Sequence, residues 1–117
     1  MHTATELETR FELVRASEQN FSNFLADIVR YDSGCDACII NTGTLRSNCV
    51  FPPGVMTLGD IRRILPWEDV IMKVKLTGRQ FYEALERSVA EFPTLNGSFF
   101  AVNLKDFLVF IVYRFLE

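Results

Sequence analysis

Residues 35–48 read CDACIINTGTLRSN, an apolar run that leads into a polar loop. The run over 35–40 predicts a buried strand, because a continuous apolar stretch bounded by turn residues is typical of a strand covered on both faces. The loop that follows carries Asn41, Gly43 and Arg46. Formation of a simple turn explains Gly43 and Asn41 but not Arg46, so this loop is a candidate binding site.

The loop residues admit two interpretations. In a ligand site, Arg46 would present planar donors to phosphate or carboxylate, and Asn41 would offer a donor and an acceptor to a base or sugar. Gly43 would let the backbone come close to the ligand. Alternatively, Asn41 adopts a left-handed conformation and Arg46 is a solvated surface charge. Spacing alone favours this second interpretation.

Upstream of this stretch, one strand and one helix are predicted. RFELVR (10–15) alternates polar and apolar residues, which indicates a short strand. An amphipathic helix is predicted over roughly 19–31, ending near Gly34, a residue that often terminates helices. Its apolar positions recur at helical spacing: Phe21, Phe24, Leu25 and Ile28.

Downstream, a loop of about 15 residues is long for a compact domain, and loops of that length are usually functional. Thr57 and Asp60 then have the spacing of a capping box, which predicts a short helix over 57–65. DVIMKVKL (69–76) is rich in β-branched residues and predicts a strand.

A second capped helix is predicted after that strand, from Thr77 with Gln80 at its third position. Strand-like segments near 98–102 and 107–113 follow. Strands and helices therefore mix without strict alternation, which predicts an α+β or mixed α/β fold with helices packed on one mixed sheet. At 117 residues, 49% of them hydrophobic and 23% charged, the whole chain is expected to be one globular, soluble domain.

Charge and hydropathy exclude several classes of protein. A net charge of −3 and a pI near 5.2 argue against a nucleic-acid surface, which needs clustered Lys and Arg. The N-terminal residues have no apolar leader region, so no signal peptide is visible. The late apolar stretch FLVFIVY (107–113) is too short for a membrane span, which takes about 20 residues.

The cysteines and the histidine give little support to metal or redox chemistry. Cys35 and Cys38 have redox-motif spacing, but they lie in the strand-like run, and with Cys49 they do not make an even disulfide set. There is no second pair to complete a zinc site. His2 is the sole histidine and lies in a terminus expected to fray, which argues against acid–base or metal chemistry by histidine in this chain.

Trp67 and Arg15 are further site candidates, each ambiguous taken alone. Trp67 follows Pro66 at the end of a predicted helix, where its ring could face a ring-shaped ligand or fill the core. Core packing is the usual role of a lone tryptophan. Arg15 ends the first predicted strand and by itself indicates little. The residues alone therefore indicate a single domain with a candidate site for an anion and a ring.

Four stretches, taken in order, resemble a known family. VRASEQNFSNFLADIV (14–29), CDACIINTGTLRS (35–47), the stretch 54–89 and NGSFFAV (96–102) are similar to motifs of the C-terminal, substrate-binding domain of the 5'-nucleotidase family. In 54–89 the similarity runs from GVMT through LPW to TGRQFYEALE. Each piece is weak by itself, but four in the same order with sensible gaps, over about 11–102, are specific.

The resemblance implies roles for individual residues. Arg15 and Arg46 correspond to the two arginines that hold the substrate phosphate in this family. Asn41 corresponds to the loop asparagine that contacts the nucleoside, with Gly43 in the same loop. Trp67 takes the place of the phenylalanine that stacks on the base, and base–aromatic stacking contributes about 1–3 kcal/mol.

The resemblance also implies what this chain would need from elsewhere. Family members hydrolyse phosphoesters at a two-metal site, whose ligands lie in an N-terminal metallophosphoesterase domain. The expectation is therefore a substrate-recognition domain for nucleoside 5'-monophosphates or related phosphoesters, with no cofactor or catalytic residue of its own and no phosphatase activity by itself. Members are often extracellular, surface-bound or periplasmic, so the compartment stays open.

Departures from the family pattern leave alternatives open. Thr42 and Thr44 stand in a loop that is usually glycine-rich, and Ser22 replaces a glycine beside Asn23. The pattern is lost after about residue 102, the part that normally supplies a second stacking aromatic and a ribose-binding aspartate. The chain could therefore be a truncated domain, a non-catalytic interaction module, or a gene fragment without a role of its own.

Overall fold

A computed structural model describes residues 1–104 of the chain. The predicted strand at 107–113 lies outside the described residues. In chain order the strands are β1 (His2–Thr3), β2 (Leu7–Glu8), β3 (Ala37–Asn41), β4 (Val50–Phe51), β5 (Gly54–Val55) and β6 (Phe100–Leu104). The helices are α1 (Phe11–Val14), α2 (Asn20–Ser33), α3 (Leu58–Ile64) and α4 (Gly78–Ser88), and a 3-10 turn spans Thr42–Thr44.

The α+β class is confirmed, but the sheet is arranged differently from the prediction. Within residues 1–104 the strands form three antiparallel pairs, β1 with β5, β2 with β4 and β3 with β6, instead of one mixed sheet. In the longest pair, residues 37–41 face residues 100–104 in reverse order. Helix α2 packs against both strands of this pair. The β1 pairing also corrects the expectation of a frayed N-terminus, since His2 lies opposite Val55.

Three helix predictions are confirmed, together with their end signals. Helix α2 stops at Gly34, whose φ of 67° is in the left-handed region that glycine adopts without strain. Helices α3 and α4 each begin with a complete capping box, Thr57 with Asp60 and Thr77 with Gln80. In each box the side chains satisfy backbone N–H groups that the first turn leaves without partners.

Two strand predictions are wrong. Residues 69–76 form no regular strand and pair with no strand among residues 1–104. Their β-branched composition is consistent with a strand, but a strand is stable only with a neighbour to complete its hydrogen bonds. Residues 10–15, read as a strand from their alternation, contain the short helix α1. Six residues are too few to distinguish the two-residue period of a strand from the 3.6-residue period of a helix.

The hydrophobic core includes side chains from the segment that joins β3 to α3. It consists of buried side chains from several parts of the chain: Leu7, Val14, Phe21, Leu45, Phe51, Met56 and Ile64. Leu45 is fully buried, which fixes the polar loop beside it to the core. Among the described residues, no helix is long and apolar enough to cross a membrane.

Candidate functional site

Helix α1 places Arg15 directly beside an aromatic ring. Arg15 follows the helix and lies four residues after Phe11, the spacing that puts two side chains on one helical face. Its Cζ is 4.3 Å from the centroid of the Phe11 ring. The predicted strand would have separated the same two residues by about 13 Å along the chain. The helix therefore creates a contact that the sequence pattern did not suggest.

The polar loop brings Arg46 to the same ring. The Cζ of Arg46 is 5.5 Å from the centroid of Phe11 and 5.2 Å from that of Trp67. Its backbone N–H donates to the carbonyl of Ile64 at 2.8 Å, which ties the loop to the end of α3, shortly before Trp67. Arg15 and Arg46 thus share the Phe11 ring, and Trp67 joins the same cluster through its contact with Arg46. Trp67 is 53% exposed and is not a core residue.

A network of hydrogen bonds joins the loop to the start of α1. The hydroxyl of Thr9 donates to the carbonyl of Cys49 at 2.6 Å and is hydrogen-bonded to the hydroxyl of Ser47 at 2.6 Å. The N–H of Phe11 donates to Oδ1 of Asn48 at 2.9 Å, which satisfies a free donor at the helix N-terminus. Asn48 has a φ of 49°, a left-handed conformation that asparagine tolerates better than most residues.

The two clustered arginines have no carboxylate partner among residues 1–104. The salt bridges found there join Arg10 to Glu8 at 2.6 Å and Arg30 to Asp27 at 3.9 Å. The hydrogen bond from Arg10 holds the pKa of Glu8 below its usual value, so that pair is already neutralised. In the same part of the chain, Nε of Arg15 is buried without a hydrogen-bond acceptor. Neither guanidinium group is ion-paired within the described residues, which leaves both available to an anion.

Asn41 and Gly43 lie apart from these contacts. Asn41 is the last residue of β3, and its exposed side chain takes part in none of the hydrogen bonds or ring contacts that join the arginines and aromatic rings. Gly43 packs against Gly97: its N–H donates to the Gly97 carbonyl at 2.9 Å, and a Cβ on Gly43 would lie 3.0 Å from Gly97 Cα. Close packing of two backbones thus accounts for this glycine without a ligand.

Thr44 connects this turn to the segment after Trp67. Its hydroxyl donates to Oδ2 of Asp69 at 3.4 Å, a long hydrogen bond between exposed groups. Residues that sequence reasoning missed are Phe11, Asn48 and Thr9. For Phe11 the available signal is its spacing of four residues from Arg15, which brings the two side chains together only if the segment is helical.

The described residues do not fit a two-metal centre. Among residues 1–104, no group of three or more His, Cys, Asp or Glu side chains is arranged to hold a metal ion. The cysteines Cys35, Cys38 and Cys49 are free thiols. Burial raises the pKa of the Cys38 thiol, which favours the protonated form, the less reactive of the two.

Comparison with known proteins gives consistent matches. The sequence model of the family described as 5'-nucleotidase, C-terminal domain, matches residues 1–107. The trifunctional nucleotide phosphoesterase protein YfkN of Bacillus subtilis is 30% identical over 102 residues, which cover 84% of this chain and 7% of that protein. The chain thus spans a small part of this relative.

A solved structure shares the fold. The crystal structure of a 5'-nucleotidase precursor from Thermus thermophilus aligns with a TM-score of 0.74 at 23% sequence identity. The alignment covers 87% of this chain and 20% of that chain. At this identity the likeness establishes the fold alone, and it agrees with the mixture of helices and small antiparallel sheets described above.

Proposed function

Because this chain belongs to the family of 5'-nucleotidase C-terminal domains, we propose that it is the substrate-recognition domain of a phosphohydrolase acting on nucleoside 5'-monophosphates or related phosphoesters. One observation carries the proposal. Arg15 and Arg46 come from segments 31 positions apart, lie against the same ring, and have no carboxylate partner among residues 1–104. Guanidinium groups suit phosphate because their planar donors match its oxygen atoms.

The nucleoside end of the ligand belongs beside Trp67 in this proposal. The indole is half-exposed and next to Arg46, so a base stacked on it lies within reach of the phosphate group. Asn41 is assigned to the nucleoside, and its exposed side chain is able to offer both a donor and an acceptor. Gly43 keeps the turn between Asn41 and Arg46 in its tight conformation through its packing on Gly97.

Hydrolysis is assigned to a separate metallophosphoesterase domain, the partner that the family resemblance implies. The described residues offer no group suited to two metal ions, and the relatives are much longer than this chain. The chain is therefore proposed to bind and orient substrate, while the other domain activates water. A phosphatase assay on the 117-residue chain with added divalent metal should give only background; metal-dependent turnover would overturn this division of roles.

Binding of AMP and adenosine to the full chain tests the recognition role. Arg46→Ala should weaken AMP binding about 10- to 100-fold, because a charge-assisted hydrogen bond contributes about 1.5–3 kcal/mol. It should leave adenosine binding almost unchanged, since adenosine has no phosphate. Trp67→Ala should weaken both ligands through lost stacking.

Arg87→Ala provides a matched control, since it removes an exposed arginine from the last turn of α4, outside the cluster. It should bind AMP as the unmodified chain does. If Arg46→Ala and Arg87→Ala have the same affinity for AMP, the phosphate assignment is wrong.

A second candidate is a non-catalytic interaction module. It is favoured by an exposed apolar run after Trp67, in which Val70, Ile71, Met72 and Val74 are each at least 66% exposed. Apolar side chains exposed together mark surfaces that contact another protein. This candidate predicts that AMP leaves the melting temperature unchanged, whereas an added binding protein raises it. An AMP-dependent rise in melting temperature contradicts it.

A further inference from the structure

Arg46 lies against two aromatic rings at once. The ring centroids of Phe11 and Trp67 are 5.5 Å and 5.2 Å from its Cζ, both within the range of cation–π attraction. An exposed arginine side chain otherwise samples many rotamers and loses that freedom when it binds a ligand. Two ring contacts restrict those rotamers before any ligand arrives.

Phe11 also contacts the second arginine. The Cζ of Arg15 is 4.3 Å from its centroid, so one ring lies against two guanidinium groups. Two cations brought close together repel each other, and the negative face of an aromatic ring offsets part of that repulsion. The ring therefore makes it easier for both arginines to occupy the same region.

The position of Phe11 is itself fixed by the loop that carries Arg46. The Phe11 N–H donates to Asn48 Oδ1, two residues after Arg46. Thr9, two residues before Phe11, is fully buried, and its N–H and hydroxyl both donate to the Cys49 carbonyl. The ring and the polar loop are thus held as one unit.

We propose that Phe11 and Trp67 are positioning residues for the phosphate group: the two rings hold Arg46, and Phe11 also holds Arg15, in place for an oxyanion. The inference rests on the proposed function and adds a role to Trp67 beyond stacking on a base. It follows that both rings affect the binding of a phosphate that carries no base at all. Preorganised donors bind more tightly because less freedom is lost on association.

Inorganic phosphate is the probe that separates positioning from base stacking. Its dissociation constant is measured by NMR titration of the full 117-residue chain, following the arginine Nε–Hε signals. Phe11→Leu and Trp67→Leu, which keep an apolar side chain and remove the ring, should each weaken phosphate binding about 3- to 10-fold. Phe11→Tyr and Trp67→Phe, which restore a ring, should retain the affinity of the unmodified chain.

Phe51→Leu is the control for loss of a ring in general. Phe51 is a core residue whose ring centroid lies 6.0 Å from Cζ of Arg63, an arginine outside the cluster. This variant should have a lower melting temperature but an unchanged affinity for phosphate. Equal loss of phosphate affinity in Phe51→Leu and Phe11→Leu would mean that destabilisation, and not positioning, causes the effect, and the inference would be overturned.

The outcomes distinguish this inference from the function on which it rests. If Arg46→Ala weakens phosphate binding while Phe11→Leu and Trp67→Leu do not, the positioning role is wrong and the phosphate site stands. If Arg46→Ala leaves the affinity for phosphate unchanged, or if the unmodified chain binds no phosphate, the positioning role and the phosphate site are both overturned. Loss of the rings should also shift the Arg46 Nε–Hε signal without any ligand, and an unchanged signal would contradict the geometry.

Discussion

Replacement of Gly43 by alanine should destabilise the fold, because the new methyl group has no room. A Cβ at this position would lie 3.0 Å from both Cα and O of Gly97 and 3.3 Å from its carbonyl carbon. These are backbone atoms, held by the hydrogen bond from the Gly43 N–H to the Gly97 carbonyl, so they cannot rotate away as a side chain would. Overpacking of this kind costs about 1–3 kcal/mol.

The expected loss is about 2 kcal/mol in the free energy of unfolding. Relief of the overlap requires the two backbones to separate, which weakens a hydrogen bond with a net contribution of about 1 kcal/mol. For a domain of this size, a loss of about 2 kcal/mol lowers the melting temperature by roughly 8 °C. Urea denaturation followed by circular dichroism measures the free energy, and a thermal scan measures the melting temperature.

Gly59→Ala is the control for this prediction because it should raise the free energy of unfolding, whereas Gly43→Ala should lower it. Gly59 lies in α3, where a Cβ would meet only Thr57 Oγ1, at 3.5 Å. Alanine in place of glycine within a helix stabilises by about 0.5–1 kcal/mol. If Gly43→Ala is as stable as the unmodified chain, or if both variants lose stability equally, the proposed close packing of Gly43 on Gly97 is wrong.

Three further predictions concern the capping box and the cysteines. Thr57→Ala should lower the free energy of unfolding by about 1 kcal/mol in urea denaturation, since it removes the acceptor for the Asp60 N–H; no loss would contradict the cap. Hydrogen bonds from Thr57 hold the pKa of Asp60 below its usual 3.8. The contribution of this contact to the free energy of unfolding, present above that pH, should therefore decline as the pH falls through the lowered pKa. Asp60→Asn should reduce this decline in urea midpoints measured between about pH 2 and 6, and an identical pH profile would refute the assignment. Cys38, whose thiol pKa is raised by burial, should react with iodoacetamide more slowly than Cys35 by mass spectrometry; equal rates would contradict its burial.

The sequence indicated the local helices well because their signals are local. Apolar spacing and Gly34 identified α2, and threonine followed three residues later by Asp60 or Gln80 identified the starts of α3 and α4. Such signals depend on hydrogen bonds within one turn, which neighbouring residues determine. Strand pairing depends on distant residues, and a strand-like composition at 69–76 could not reveal that no described strand lies beside it.

The sequence pointed to the charged residues of the candidate site but not to their arrangement. Family motifs pointed to Arg15, Arg46 and Trp67, but each of them was ambiguous by residue type and spacing alone. The two arginines converge on Phe11, which the alternating pattern of residues 10–15 does not indicate, because that pattern predicts a strand where the structure has a helix. The conformation of that segment depends on Asn48, which is 37 positions away and satisfies the first N–H of the helix. No local pattern contains this information.

The most direct test of the central claim is a crystal structure of the chain with AMP bound. We expect phosphate oxygen atoms within hydrogen-bond distance of the guanidinium groups of both Arg15 and Arg46, with the adenine ring stacked on Trp67. A complex in which the phosphate lies in solvent or against other residues, with neither arginine in contact, would contradict the claim.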